Sequence, residues 1–317
     1  MTATDFLKTC RNNRIIVFAA VPFAGAALGS LLAEALPTAL ARSGFLLTLL
    51  HVALWSAIIS APLTLALFWA DLIYRRGRLL NREIIKPALL TGALAGAISG
   101  AVAQAVYSID IGSGLLKHVL IRSLCWGIMG AILGWRLSTR VPNLGSLRGT
   151  LAGLAGGILG GLGFVLFVST LPEFLGRMVG VGILGAALGL AIITVEQLFR
   201  TATLNVLWGP RETTTLSLGS TPVTIGGGDD HVWLQGLPPK AFLVWTEQGR
   251  VLCKDQQTGR QNALKDGSIF TVARVQFQIT TTLPSTPAHS TPPPLAPQPK
   301  SPVRTMPPPA RQTTPKR

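Results

Sequence analysis

Six long apolar runs occupy the first 200 residues, near 14–36, 45–73, 87–108, 116–136, 149–170 and 177–198. About 20 apolar residues cross the hydrocarbon core of a bilayer, so each run predicts a membrane-spanning helix. After Arg200 the pattern changes. TLSLGSTPVTIGGG, AFLVWTE, GRVLCKD and SIFTVARVQFQIT alternate apolar or β-branched residues with polar ones, and Gly, Pro and Asp turns separate them. They predict a small all-β domain over 204–280. A domain of that size buries a modest core, so support from the membrane part is expected. Residues 281–317 are rich in Pro and Thr and basic, with no acidic residue. That composition predicts a disordered, polyproline-like tail suited to an anionic membrane surface.

Glycine within the apolar runs refines the picture. RGTLAGLAGGILGGLGFVLF, residues 148–167, would make a poor helix in water, where each internal glycine costs about 0.8–1.0 kcal/mol relative to alanine. In hydrocarbon the backbone must satisfy its own hydrogen bonds, and small residues let neighbouring helices approach closely. Gly92, Gly96 and Gly100 in TGALAGAISG recur at an offset of about 57 residues as Gly149, Gly153 and Gly157. GIMGAILG, with Gly130 and Gly134, matches GILGAALG, with Gly185 and Gly189, and Arg122 and Arg177 stand ahead of the two copies. The third to sixth runs therefore read as a duplicated helical hairpin. The first run echoes it at Gly25 and Gly29, and Gly161 extends the stripe in the fifth. These Gly-x-x-x-Gly positions predict helix packing within one bundle, with a homo-oligomer as the other use of the same surface. The second run differs, carrying His51, Pro62 and two tryptophans.

Composition agrees with a membrane protein: 48% of the 317 residues are hydrophobic and 13% charged, with a formal net charge of +15. The basic residues flank the apolar runs and no nucleic-acid motif accompanies them, so they read as topology determinants rather than a nucleic-acid surface. Lys8, Arg11 and Arg14, then Arg75, Arg76, Arg78, Arg82 and Lys86, then Arg136, Arg140 and Arg148 fall on one side of a six-span arrangement. Arg42, Lys117, Arg122 and Arg177 fall on the other, with Glu34, Asp110 and Glu173. The bias predicts that both termini are cytoplasmic, and the first run reads as a retained anchor rather than a cleaved signal.

Chemistry-bearing motifs are sparse. Cys10, Cys125 and Cys253 are too widely spaced for a metal or redox motif. No nucleophile with a base, paired carboxylates or metal-ligand cluster stands out, so the chain reads as a non-enzyme without cofactor or metal. His51 is a lone histidine in an apolar run, and Asp71 and Glu196 sit where arginines can pair with them. Arg122 and Arg177, with Asp110 and Glu173, form a candidate polar site at the outer face, where lipid phosphate or salt bridging would engage them.

PVTIGGGDDHVWL, residues 222–234, resembles the opening of a forkhead-associated (FHA) domain, and AFLVW, GRVLCKD and LKDGSIFTVARVQFQI resemble its later strands. The resemblance covers about a quarter of the chain and implies a β-sandwich. With the preceding spans it resembles bacterial inner-membrane proteins bearing a cytoplasmic FHA module. Members of that family usually bind phosphothreonine peptides, but the motif here is degenerate. Gly227 stands where the family has arginine, Leu237 and Lys240 where it has serine and histidine, and Arg260 lies in the usual asparagine region. Lys240, Arg260 and Arg274 are the candidate replacement anion or partner contacts. Gly226, Gly227 and Gly228 before Asp229 and Asp230 read as a tight turn. The expectation is a membrane scaffold that binds lipid and recruits a cytoplasmic protein, with a channel or small-solute transporter as the alternative.

Overall fold

Six helices take up the apolar runs: α1 (Arg14–Ala33), α2 (Phe45–Arg75), α3 (Arg82–Ser108), α4 (Leu115–Ser138), α5 (Ser146–Thr170) and α6 (Glu173–Leu198). Each contains a stretch long and apolar enough to cross a membrane. The computed structural model describes residues 13–36, 44–75, 82–109, 115–209 and 212–281. Asp110, Cys10 and the 282–317 portion of the Pro-rich tail lie outside the described residues. At 1.5 Å per residue the 31-residue α2 is about 46 Å long, well beyond the roughly 30 Å of hydrocarbon. Its last turns, with Asp71, Tyr74 and Arg75, therefore reach past the membrane core.

The helices form a ring in chain order, each beside its sequence neighbour, with α6 returning to α1. Small residues set the spacing. A Cβ on Gly149 would stand 2.6 Å from the Gly134 carbonyl oxygen, and one on Gly130, Gly134 or Gly153 would collide with the facing backbone of the α4–α5 pair. Gly157 and Gly161 continue that face, with the Gly127 Cα 2.9 Å and the Ser123 Cα 3.0 Å from their would-be Cβ positions. Gly25 and Gly29 press on Pro62 and Ile59 of α2, and Gly185 and Gly189 press on Pro22 and Phe18 of α1. Gly92, Gly96 and Gly100 of α3 meet Ser56 and Ser60, and the Ser60 hydroxyl donates to the Gly92 carbonyl. Helix α2 thus presents serines where its partner presents glycines. Large apolar side chains fill the ring's interior, among them Ile59, Leu63, Met129, Leu133, Leu184 and Leu188.

Helix α6 leads almost directly into the β domain, through residues 199–201. Its strands are β1 (Ala202–Gly209), β2 (Glu212–Leu218), β3 (Val223–Gly226), β4 (Val232–Trp233), β5 (Phe242–Glu247), β6 (Arg250–Asp255), β7 (Gln261–Leu264), β8 (Ile269–Val272) and β9 (Val275–Thr281). They form a four-stranded sheet of order β2-β1-β9-β8 and a five-stranded sheet of order β4-β3-β5-β6-β7. Pairing is antiparallel except between β3 and β4. Alternate residues point inward, so Leu204, Val206, Phe277 and Ile279 of one sheet share a core with Val223, Ile225, Val244 and Val251 of the other. The first strand starts at Ala202, whose partners are Leu218 and Thr281 on either side.

Candidate functional site

The densest polar cluster lies where the bundle meets the β domain, and local rules position its first members. Asn13 caps α1, its Oδ1 accepting the Ile15 N–H at 3.1 Å, and so fixes Arg14 at the helix start. On α2 the i,i+4 spacing brings Arg75 onto Asp71, with Nε 2.7 Å from Oδ1. Arg75 also donates to the Arg140 carbonyl at 2.7 Å, tying α2 to the α4–α5 loop (139–145).

Two links cross from these helices to strand β2. Arg14 pairs with Glu196 of α6, and Glu196 accepts a hydrogen bond from the Ser217 hydroxyl. The two paired side chains are 13% and 3% exposed, so both are largely withdrawn from water. The Arg14 guanidinium also lies 5.6 Å from the Phe18 ring centroid and 5.2 Å from that of Tyr74. The Tyr74 hydroxyl accepts the Thr215 N–H at 3.0 Å, and the Thr214 hydroxyl donates to the Tyr74 carbonyl at 3.3 Å. The outer edge of β2 is thereby occupied by the bundle.

The α4–α5 loop supplies a third link. Asn143 sits at φ 61°, a left-handed conformation that asparagine tolerates better than most residues. Its Nδ2 donates to the Ser217 carbonyl at 3.0 Å and its Oδ1 accepts the Thr221 N–H at 3.0 Å. A Cβ on Gly219 would lie 2.6 Å from that Oδ1, so the turn after β2 closes tightly on the loop. Nearby, Arg140 approaches Asp229 at 3.7 Å.

Two cavities flank these contacts. One, about 370 Å³, is lined by Asp71, Arg75, Arg140, Asp229, Asp230 and His231. The other, about 410 Å³, includes Arg140, Arg148, Arg200 and Glu196 in its lining. Burial pulls the His231 imidazole down to about 4, the Arg75 charge adds to this, and Asp230 opposes it. Its neutral Nδ1 accepts the Thr224 N–H at 3.0 Å. The arrangement is suited to mechanical coupling and charge pairing. Among the described residues no group of three His, Cys, Asp or Glu comes together to hold a metal.

The β3–β4 loop (227–231) is a tight turn in which the Asp230 carboxylate accepts the Gly228 N–H at 3.0 Å and the Lys240 N–H at 3.1 Å. A Cβ on Gly227 would collide with the Leu237 carbonyl oxygen. This position therefore has no room for the arginine of the FHA motif. Lys240 is exposed on the β4–β5 connection and Arg260 on the β6–β7 loop, which are joined where the Gln256 N–H donates to the Ala241 carbonyl at 2.9 Å. Arg274 is on the β8–β9 turn of the other sheet. Burial, with Asp255 adding, pushes the half-buried Cys253 thiol up to about 11. That keeps the thiol protonated and unreactive at neutral pH.

At the end of the ring away from the β domain, Arg177 is held by carboxylates from two helices. Its Nε is 2.8 Å from Glu34 and its Nη1 2.8 Å from Glu173. Arg122, which stands ahead of GIMGAILG as Arg177 stands ahead of GILGAALG, is exposed and makes no hydrogen bond or ion pair with another described residue. His51 has a buried Nδ1 without a hydrogen-bond partner among the described residues. Helix spacing signals Asp71 with Arg75 and Glu173 with Arg177. It gives no sign of Tyr74, Asn143 or Ser217, whose partners lie far away in the chain; the one hint is that Tyr74 and Arg75 directly follow an apolar run.

Comparison of the chain with protein-family models, curated proteins and solved structures finds no match.

Proposed function

We propose that this chain is a non-enzymatic membrane scaffold. On this reading the six-helix bundle anchors in a bacterial inner membrane and carries an FHA-like β-sandwich on its cytoplasmic face, where the sandwich recruits a protein partner. The observation that carries the reading is the junction: the buried Arg14–Glu196–Ser217 chain and the Tyr74–Thr215 contact hold the β domain against the helices. A domain held this way presents a fixed surface. The orientation draws on the basic residues at the β-domain end, Arg14, Arg75, Arg140, Arg148 and Arg200, which the positive-inside rule assigns to the cytoplasm. The two sheets sharing one core support the FHA-like reading of the fold, and the glycine contacts support packing within one bundle.

Recognition in this reading does not use a phosphothreonine pocket, because Gly227 leaves no space for the motif arginine. With β2 turned to the bundle and the edge strand β4 only two residues long, the sheet edges long enough for a partner are β7 and β8, where Gln261, Asn262, Ala263 and Ile269 are exposed. An extended segment adding to either edge fits that surface. A channel is the lesser reading, since the bundle interior is filled by Ile59, Leu63, Met129, Leu133, Leu184 and Leu188. The test places a photo-crosslinking residue at Ala263 or Thr271 of the full-length protein in cells, with Thr201 as the comparison. A discrete protein adduct from the β7 or β8 positions supports the scaffold. Absence of adducts together with solute flux in reconstituted vesicles overturns it.

A further inference from the structure

The helix ring has a thin seam: α3 and α4 touch less than any other neighbouring pair. Toward the end away from the β domain a cavity of about 450 Å³ opens there. That volume is in the range of small-molecule pockets, about 300–1,000 Å³. Trp55, Trp126, Phe164 and Val168 give the cavity an aromatic and apolar wall, while Gln104 and Arg122 give it a polar part. Exposed Ile98 and Val102 on α3 and Leu120 and Leu124 on α4 adjoin the lining residues, so the approach runs through lipid.

Arg122 supplies the charge argument. Arg177 also lines the cavity, but Glu34 and Glu173 neutralise it. Arg122 has no such carboxylate among the described residues, and it lies about 10 Å along α4 from Leu115. A guanidinium that no described residue neutralises is costly near membrane depth, and a phosphate is a geometrically matched partner for it. We propose that the α3–α4 seam binds a membrane lipid with an anionic headgroup, its phosphate on Arg122 and an acyl chain against Trp55, Trp126 and Phe164.

Tryptophan quenching tests this on the full-length protein in phosphatidylcholine vesicles. Brominated phosphatidylglycerol or brominated phosphatidylcholine is titrated in from small mole fractions, and the Trp55 and Trp126 signal is isolated by comparison with a W55F/W126F variant. The anionic lipid is expected to reach half-quenching at about tenfold lower mole fraction. Arg122→Gln should abolish that preference and Arg122→Lys should keep part of it; Arg122 is exposed and holds no other described residue, so these variants retain the fold. Equal quenching by the two lipids overturns the proposal, as does a preference that survives Arg122→Gln. Displacement of the brominated lipid by millimolar glycerol phosphate, which has no acyl chains, also overturns it, because the site would then be one for a soluble anion.

Discussion

Replacing Glu196 by Gln isolates the charge at the bundle–β junction. The glutamine keeps the shape of the side chain and its ability to accept from Ser217, but leaves the Arg14 guanidinium, 13% exposed, without its counter-charge. Removing one partner of a buried pair costs about 3–5 kcal/mol. Part of this, roughly 1.5 kcal/mol, is recovered because the glutamine oxygen, with two lone pairs, can still accept a hydrogen bond from the charged guanidinium. A net loss of about 2–3 kcal/mol remains, equivalent to about a 30- to 150-fold change in the docking equilibrium. The reporter is the Thr215 amide, which donates out of the edge strand β2 to the Tyr74 hydroxyl. Hydrogen exchange on the full-length protein in nanodiscs should accelerate at Thr215 by that factor while the central strands β1 and β9 stay unchanged. Unchanged exchange at Thr215 would refute a docking role for the pair. Equal acceleration throughout β1 and β9 would refute it too, because the variant would then be unfolding the domain.

Gly153→Ala drives a Cβ into the Gly130 carbonyl and should cost ~1–3 kcal/mol, read as a lower Tm in detergent. Gly163→Ala meets only the Ile183 Cγ2 methyl at 3.0 Å, a contact relieved by a shift of a few tenths of an ångström, and should cost less than ~1 kcal/mol in the same assay. Gly227→Arg, which introduces the arginine of the motif that this stretch resembles, should yield no phosphothreonine-peptide binding by calorimetry and should increase protease sensitivity of the β3–β4 loop. His231 titrates near 4 when folded and about 6.5 when unfolded, so the unfolded chain binds more protons between these values. Stability present above pH ~6.5 is therefore lost as pH falls toward 4, by ~1–2 kcal/mol for a half-buried ring, and His231→Gln should flatten that slope in Tm against pH.

The helices were legible because hydrocarbon demands an unbroken apolar run, and the strands because one buried face imposes period two. Legibility ends where those demands end. Helix α3 begins at Arg82, ahead of the apolar run that starts near 87, because Arg82, Glu83 and Lys86 and then Pro87 interrupt the apolar pattern around Ile84 and Ile85. Strand β4 is two residues long and β7 is almost wholly exposed, so neither leaves a pattern. The junction was illegible for a different reason. Tyr74 and Thr215 are 141 positions apart and meet only because α2 overshoots the membrane beside the edge of a sheet made much later in the chain. The same distinction divides Arg177: its pairing with Glu173 follows from i,i+4 spacing, whereas its bond to Glu34 appears only once α6 closes against α1.

The position of β1 between β2 and β9 has a consequence for how the protein is made. Synthesis runs from the N-terminus, so the helices enter the membrane and β1 emerges from α6 long before β9 exists. The hairpin with β2 can form at once and dock on Tyr74, but the other side of β1 waits for residues 275–281. Until then its unpaired amides and carbonyls stand at the membrane surface, open to the wrong strand. A ribosome that stalls before Val275 would leave an inserted bundle with an unfinished sheet edge, a species for proteolytic clearance rather than for assembly.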